Sequence, residues 1–111
     1  MTNFEFYSYK YNDRMWDLSE KSEDATIKFA HAIILLITGK NISDFKADMK
    51  WLKTSEFESK EGAIYHALNA IDLRENGDIG GDVSECVMSA ISASICGYDS
   101  EVEEILLSLE G

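Results

Sequence analysis

Proline is absent from the 111 residues, and only two cysteines and two histidines occur. Because proline breaks helices and marks loops, a chain without it is typical of helices joined by short glycine turns. The longest uncharged stretch, residues 29–39, is about half the length that spans a bilayer. The first residues contain no basic stretch followed by an apolar run, so a secretory signal is not expected. We therefore expect a helical, cytoplasmic protein.

The scarcity of histidine and cysteine removes most reactive chemistry. Cys86 and Cys96 lie in one predicted helix, about 15 Å apart along its axis, which is too far for a disulfide. We expect both to be small buried thiols, His31 to be a hydrogen-bonded core residue and His66 to be a surface residue. Neither histidine has a metal-ligand spacing, and no GxSxG or SxxK motif occurs. The sequence predicts no enzyme, no metal and no cofactor.

Hydrophobic periodicity predicts an all-α fold, a compact bundle of five or six helices in a single acidic domain, residues 1–111. The segment 22–38 is apolar on nearly every side in its second half, which is typical of a buried central helix. Residues 3–11 fit a helix opened by a capping box of Thr2 and Glu5, and an extended arm is the alternative.

The other predicted helices follow the same spacing. One runs from about Ser43 to Lys53 and is expected to bury Phe45, Met49 and Leu52. The remaining three cover residues from about 55 to 73, from Asp82 to a stop at Gly97, and from a capping box of Ser100 and Glu103 onward.

The stretch ENGDIGGDVSE, residues 75–85, holds four carboxylates and three glycines. A calcium loop starting at Asp72 fails because Arg74 and Val83 occupy ligand positions. A phosphate loop fails because its lysine is missing and because Asp78 and Asp82 repel phosphate. A hairpin conflicts with the helical periods on both sides. We interpret the stretch as a connection between helices, with Asp82 as the cap of the second.

Basic residues are nearly absent from the last third of the chain. Residues 72–111 contain ten acids and one base, which is most of the total net charge of −11. Some of these carboxylates lie near predicted helix N-termini, where the helix dipole stabilises them. The missing cations are not explained in this way, because like charges one turn apart repel each other. A partner of opposite charge would relieve this repulsion.

The sign of the charge excludes nucleic acid and membrane surfaces as partners. The expected partner is a basic protein surface, such as the active-site cleft of a nuclease. Aromatic anchors are expected beside the charges, and Trp16 is one further possibility. The candidate partner-binding residues are Asp72, Glu75, Asp78, Asp82, Glu85, Tyr98, Asp99, Glu101 and Trp51.

The chain is small, acidic and helical, and its acidic stretches are ENGDIGGDVSE and the neighbouring YDSEVEE. In these features it resembles the bacterial immunity proteins that neutralise nuclease toxins of the bacteriocin or contact-dependent growth inhibition type. The resemblance implies a toxin inhibitor, and replacing Asp78 and Asp82 by lysine is then expected to weaken binding. The alternative is an acidic regulatory or adaptor domain that binds another cellular protein.

Overall fold

The computed structural model describes residues 1–53 and 56–111, and every regular element in these ranges is helical. The helices are α1 Asn3–Lys21, α2 Ala25–Thr38, the single turn α3 Met49–Leu52, α4 Lys60–Glu75, α5 Gly81–Ala93 and α6 Asp99–Glu110. Ser94–Tyr98 forms a π-helical turn between α5 and α6. The predicted all-α bundle is confirmed. None of the described helices is both long enough and apolar enough to cross a membrane.

The N-terminal residues form a helix and not an extended arm. The Thr2 hydroxyl accepts a hydrogen bond from the backbone N–H of Glu5 at 3.1 Å and donates one to the Glu5 carboxylate at 3.2 Å. Thr2 is therefore the predicted N-cap, and the Glu5 carboxylate reaches back to its hydroxyl instead of to its backbone N–H as in a full capping box. Tyr11, Met15 and Leu18 then face the core.

The central helix is α5, and the prediction that α2 would be central is wrong. Nine of the 13 residues of α5 are buried, and α5 packs against α1, α2, α4 and α6. Helix α2 also packs against α1, α4, α5 and α6, but it buries only six of its 14 residues and leaves Leu35 46% exposed.

Buried serines and alanines conceal the central position of α5 in its sequence. Ser89 is fully buried, and its hydroxyl donates a hydrogen bond to the backbone carbonyl of Ala63 in α4 at 2.7 Å. Ser94, the first residue after α5, shares a 2.7 Å hydrogen bond with Tyr11 of α1. Small side chains allow neighbouring helices to approach closely, and these hydrogen bonds remove the cost of burying a hydroxyl.

The predicted helix over residues 43–53 is reduced to α3. Asp48 interrupts it, because its carboxylate accepts a hydrogen bond from the Lys50 N–H at 3.1 Å and starts a new turn. Met49 and Leu52, which were expected to be buried, are 59% and 48% exposed. Phe45 packs beside Trp51 instead of continuing a helical stripe.

Helix α4 starts later than predicted. Its N-cap is Ser59, whose hydroxyl accepts a hydrogen bond from the Gly62 N–H at 2.9 Å. The predicted start at Ser55 lies outside the described residues. Gly62 is required here, because a Cβ atom would lie 2.5 Å from the backbone oxygen of Phe57.

The predicted stop at Gly97 is confirmed, since its φ of 99° is open mainly to glycine. The predicted capping box of Ser100 and Glu103 is wrong. The π-helical turn leads directly into α6, which begins at Asp99 with Tyr98 at the N-cap position and no side-chain cap. Ser100 therefore lies within the helix.

Candidate functional site

The last turn of α4 and its connection to α5 present three carboxylates at the surface. Helix α4 ends in a Schellman motif, in which the Asp78 N–H donates to the Leu73 carbonyl at 2.9 Å and Gly77 adopts a φ of 81°. This turn leaves Asp72, Glu75 and Asp78 exposed. Ile79, which follows directly, is 70% exposed.

Trp16 of α1 lies against this connection. A Cβ atom on Gly80 would lie 3.4 Å from the edge of the Trp16 indole ring, which is 38% exposed. We call Trp16, Asp72, Glu75, Asp78 and Ile79 the loop surface. It combines two exposed apolar side chains with three carboxylates, which is an arrangement typical of protein-binding surfaces with apolar anchors.

Helix α1 adds acidic residues that the sequence analysis did not connect with this surface. Asp13 and Glu20 are exposed and lie three and four residues from Trp16, so they flank its ring on the same helix face. The sequence did not draw attention to these two acidic residues, because residues 1–71 as a whole are almost balanced in charge. Ile79 could have been noticed, since it is the most apolar residue in an acidic stretch.

Asp82 does not belong to the loop surface, because it is buried at 1% exposure. Its carboxylate accepts a hydrogen bond from the Thr26 hydroxyl at 2.6 Å and another from the Gly80 N–H at 2.9 Å. The prediction of Asp82 as a partner-binding residue is therefore wrong. It is also not the cap of α5, since Gly80 holds that position. Asp82 fixes the start of α5 to the start of α2.

The carboxylate of Glu85 is paired with the imidazole of His66. The carboxylate lies 2.5 Å from the Nδ1 of His66, and the two side chains are 26% and 16% exposed. The expectation that His66 is a plain surface residue is wrong, because it joins α4 to α5. Across the described ranges, no three His, Cys, Asp or Glu side chains are arranged to hold a metal ion.

Arg14 of α1 holds two carboxylates of α6. It donates to Glu110 at 2.9 and 2.8 Å and to Glu103 at 2.6 Å. The hydrogen bonds from Arg14 are the main reason that the pKa of Glu110 lies below its usual value. These two carboxylates stabilise the fold and are less free to attract a partner.

The predicted acidic residues of α6 lie away from the loop surface. Asp99 is exposed and Glu101 is half-buried, and both lie beyond the far end of α5. The 18 residues from Gly81 to Tyr98 place that end about 25 Å from the loop. Half-buried Tyr98 lies there too, with the Lys60 ammonium 5.7 Å from its ring centroid. The predicted residues therefore do not form a single surface.

Trp51 was expected beside the acidic residues, and this prediction is wrong. Lys50 lies over its ring at 4.4 Å from the centroid, which is a cation–π contact. Trp51 also lines a pocket of about 380 Å³ together with Lys40, Lys46 and Phe45. Its surroundings are mainly basic, since three lysines and one carboxylate, that of Asp48, line the pocket.

No protein-family model, curated protein or solved structure matches this chain. The loop surface, the basic pocket at Trp51 and the internal ion pairs are therefore the features from which function is inferred.

Proposed function

We propose that this protein is an inhibitor of the immunity-protein kind, which binds a basic toxin through the loop surface. The observation that carries the proposal is that exposed Trp16 lies against Gly80, in the connection that holds exposed Asp78 and Ile79 and follows exposed Asp72 and Glu75 of α4. Apolar anchors supply most of the binding free energy at such surfaces, whereas charges at the rim steer the approach.

The charge favours a toxin that acts on nucleic acid. A nuclease needs a basic cleft to hold phosphates, and the carboxylates of the loop surface can occupy that cleft or a basic surface beside it. A net charge of −11 accelerates association with such a target, by about 10- to 1,000-fold at low ionic strength.

The alternative is an acidic adaptor domain, and the basic pocket favours it. Lys40, Lys46 and Lys50 surround Trp51 on a molecule that is otherwise acidic. Two surfaces of opposite charge would allow an adaptor to contact two different partners at once. An inhibitor of one toxin needs only the loop surface.

The test starts with capture of proteins from the native host at low salt and elution with salt. The eluted fraction is assayed for cleavage of RNA and DNA, with and without added protein. We expect a basic nuclease that the wild type inhibits. An eluted partner that cleaves neither nucleic acid would contradict the nuclease proposal and support the adaptor.

A double variant, Asp72→Lys with Asp78→Lys, tests whether the loop surface makes the contact. It replaces the earlier choice of Asp82, because a lysine at that buried position would disrupt the core. The matched control is Asp44→Lys with Glu58→Lys, which changes the net charge equally at exposed positions elsewhere. The loop variant should inhibit at least about tenfold less well, a difference of about 1.4 kcal/mol, and the control should inhibit normally.

A further inference from the structure

A second surface feature lies between α2 and α6. It is a groove of about 400 Å³, and its lining includes Ala32, Leu35, Leu36, Glu101, Ile105 and Leu109. We propose that this α2–α6 groove is a docking site for a segment of a partner protein that carries apolar side chains next to a lysine or arginine. The proposal goes beyond the proposed function, because it concerns another face and does not require the partner to be a toxin.

The apolar floor of the groove is the first argument. Leu35 is 46% exposed, and Leu36, Ile105 and Leu109 are only partly buried. The run Ile33–Ile37 is apolar on all sides, as in a helix that is covered all round. Among residues 1–53 and 56–111 nothing covers its outer face at the groove. A partner side chain that enters the groove removes this apolar surface from water, which favours binding.

The carboxylate of Glu101 is the second argument, and it is independent of the first. Its Oε2 atom is inaccessible to solvent and has no hydrogen-bond partner within the described part of the chain. A buried acceptor without a donor is unfavourable, because it has lost its hydrogen bonds to water. Glu104, which also lines the groove, is exposed and adds a second negative charge.

Two cations on the neighbouring helices α1 and α2 are already engaged. Arg14 is bound to Glu103 and Glu110, and Lys28 of α2 lies 3.3 Å from Asp24. A donor for Glu101 would therefore come from another molecule. A lysine or arginine beside an apolar side chain would pair with the carboxylate once the Glu101 side chain rotates to expose Oε2, while its neighbour enters the groove.

The charge of the whole protein decides between possible occupants. A second copy also carries a net charge of −11, so two copies repel each other. Anionic membrane surfaces are repelled for the same reason. A basic polypeptide segment satisfies both the apolar floor and the unpaired carboxylate.

The probe is a capped helical peptide with a leucine stripe flanked by lysines, compared with the same peptide in which glutamates replace the lysines. Isothermal titration calorimetry measures the Kd of each peptide for the wild type and for two groove variants, Leu35→Ser and Glu101→Gln. Leu35 is half-exposed and Glu101→Gln keeps the side-chain shape, so both variants should fold, as circular dichroism will verify.

We expect the lysine peptide to bind and each groove variant to weaken it at least about fivefold. The control Asp72→Asn removes the same charge from the loop surface and should change the Kd less than about twofold. Equal weakening by Glu101→Gln and Asp72→Asn would show unspecific attraction and overturn the proposal. So would a wild type that dimerises through Leu35, or a glutamate peptide that binds equally well.

These outcomes are separable from those of the proposed function. The double variant Asp72→Lys with Asp78→Lys should lose toxin inhibition and still bind the lysine peptide. The groove variants Leu35→Ser and Glu101→Gln should bind the lysine peptide more weakly. They should still bind a partner that recognises the loop surface.

Discussion

Replacing Asp82 by alanine is expected to destabilise the fold by about 3–5 kcal/mol. The change removes two hydrogen bonds to a buried carboxylate, from the Thr26 hydroxyl at 2.6 Å and the Gly80 N–H at 2.9 Å. Hydrogen bonds to charged groups contribute about 1.5–3 kcal/mol each, and the buried Thr26 hydroxyl is left without its acceptor. For a domain of this size the loss is a large part of the total free energy of unfolding, about 5–15 kcal/mol.

The matched control is Asp78→Ala, four residues away in the same acidic stretch. Asp78 is exposed near the start of α5, so its removal should cost only about 0.3–1 kcal/mol of helix-dipole stabilisation. Urea denaturation followed by circular dichroism measures both free energies of unfolding. If Asp82→Ala costs no more than Asp78→Ala, Asp82 does not hold α5 to α2, and the distinction between buried and surface carboxylates fails.

Two further predictions concern the remaining internal contacts. Arg14→Met should lower the free energy of unfolding by about 1 kcal/mol at pH 7, because this partly exposed pair is screened by solvent. The pKa of Glu110 is depressed in the folded state, so its stabilisation is present above the unfolded pKa and is lost as pH falls through the folded value. The difference in free energy of unfolding between Arg14→Met and the wild type should therefore shrink below about pH 4.5 in urea titrations. A difference that stays constant with pH would contradict the pairing of Arg14 with Glu110. Burial raises the pKa of the Cys86 thiol, so in a Cys96→Ala variant a thiol reagent should react only after unfolding, whereas rapid labelling in the native state would contradict its burial.

Helical periodicity predicted the fold class because most helices here bury one apolar stripe. Tyr11, Met15 and Leu18 of α1 show this directly, since they recur at helical spacing and are buried. Periodicity failed for the centre of the bundle. Ser89 appears polar in sequence but is buried through a hydrogen bond to a carbonyl, whereas Leu35 appears buried and is exposed.

The candidate site was harder to predict because charge in a sequence does not show which carboxylates have partners. Asp78 and Asp82 are indistinguishable in ENGDIGGDVSE, and only the position of Thr26 on another helix separates them. Contacts between residues far apart in sequence also place Trp16 beside Gly80 and pair His66 with Glu85. Net charge was a guide to the type of partner, and tertiary contacts select the residues that can meet it.

The salt dependence of association tests the central claim most directly. The association rate constant of the salt-eluted partner is measured by stopped flow at increasing ionic strength, for the wild type, the Asp72→Lys, Asp78→Lys variant and the Asp44→Lys, Glu58→Lys control. Binding through the loop surface predicts a steep fall in rate with salt for the wild type and the control, and a slow, nearly flat response for the loop variant. Equal rates and equal slopes for the loop variant and the control would contradict the claim that the loop surface meets the partner.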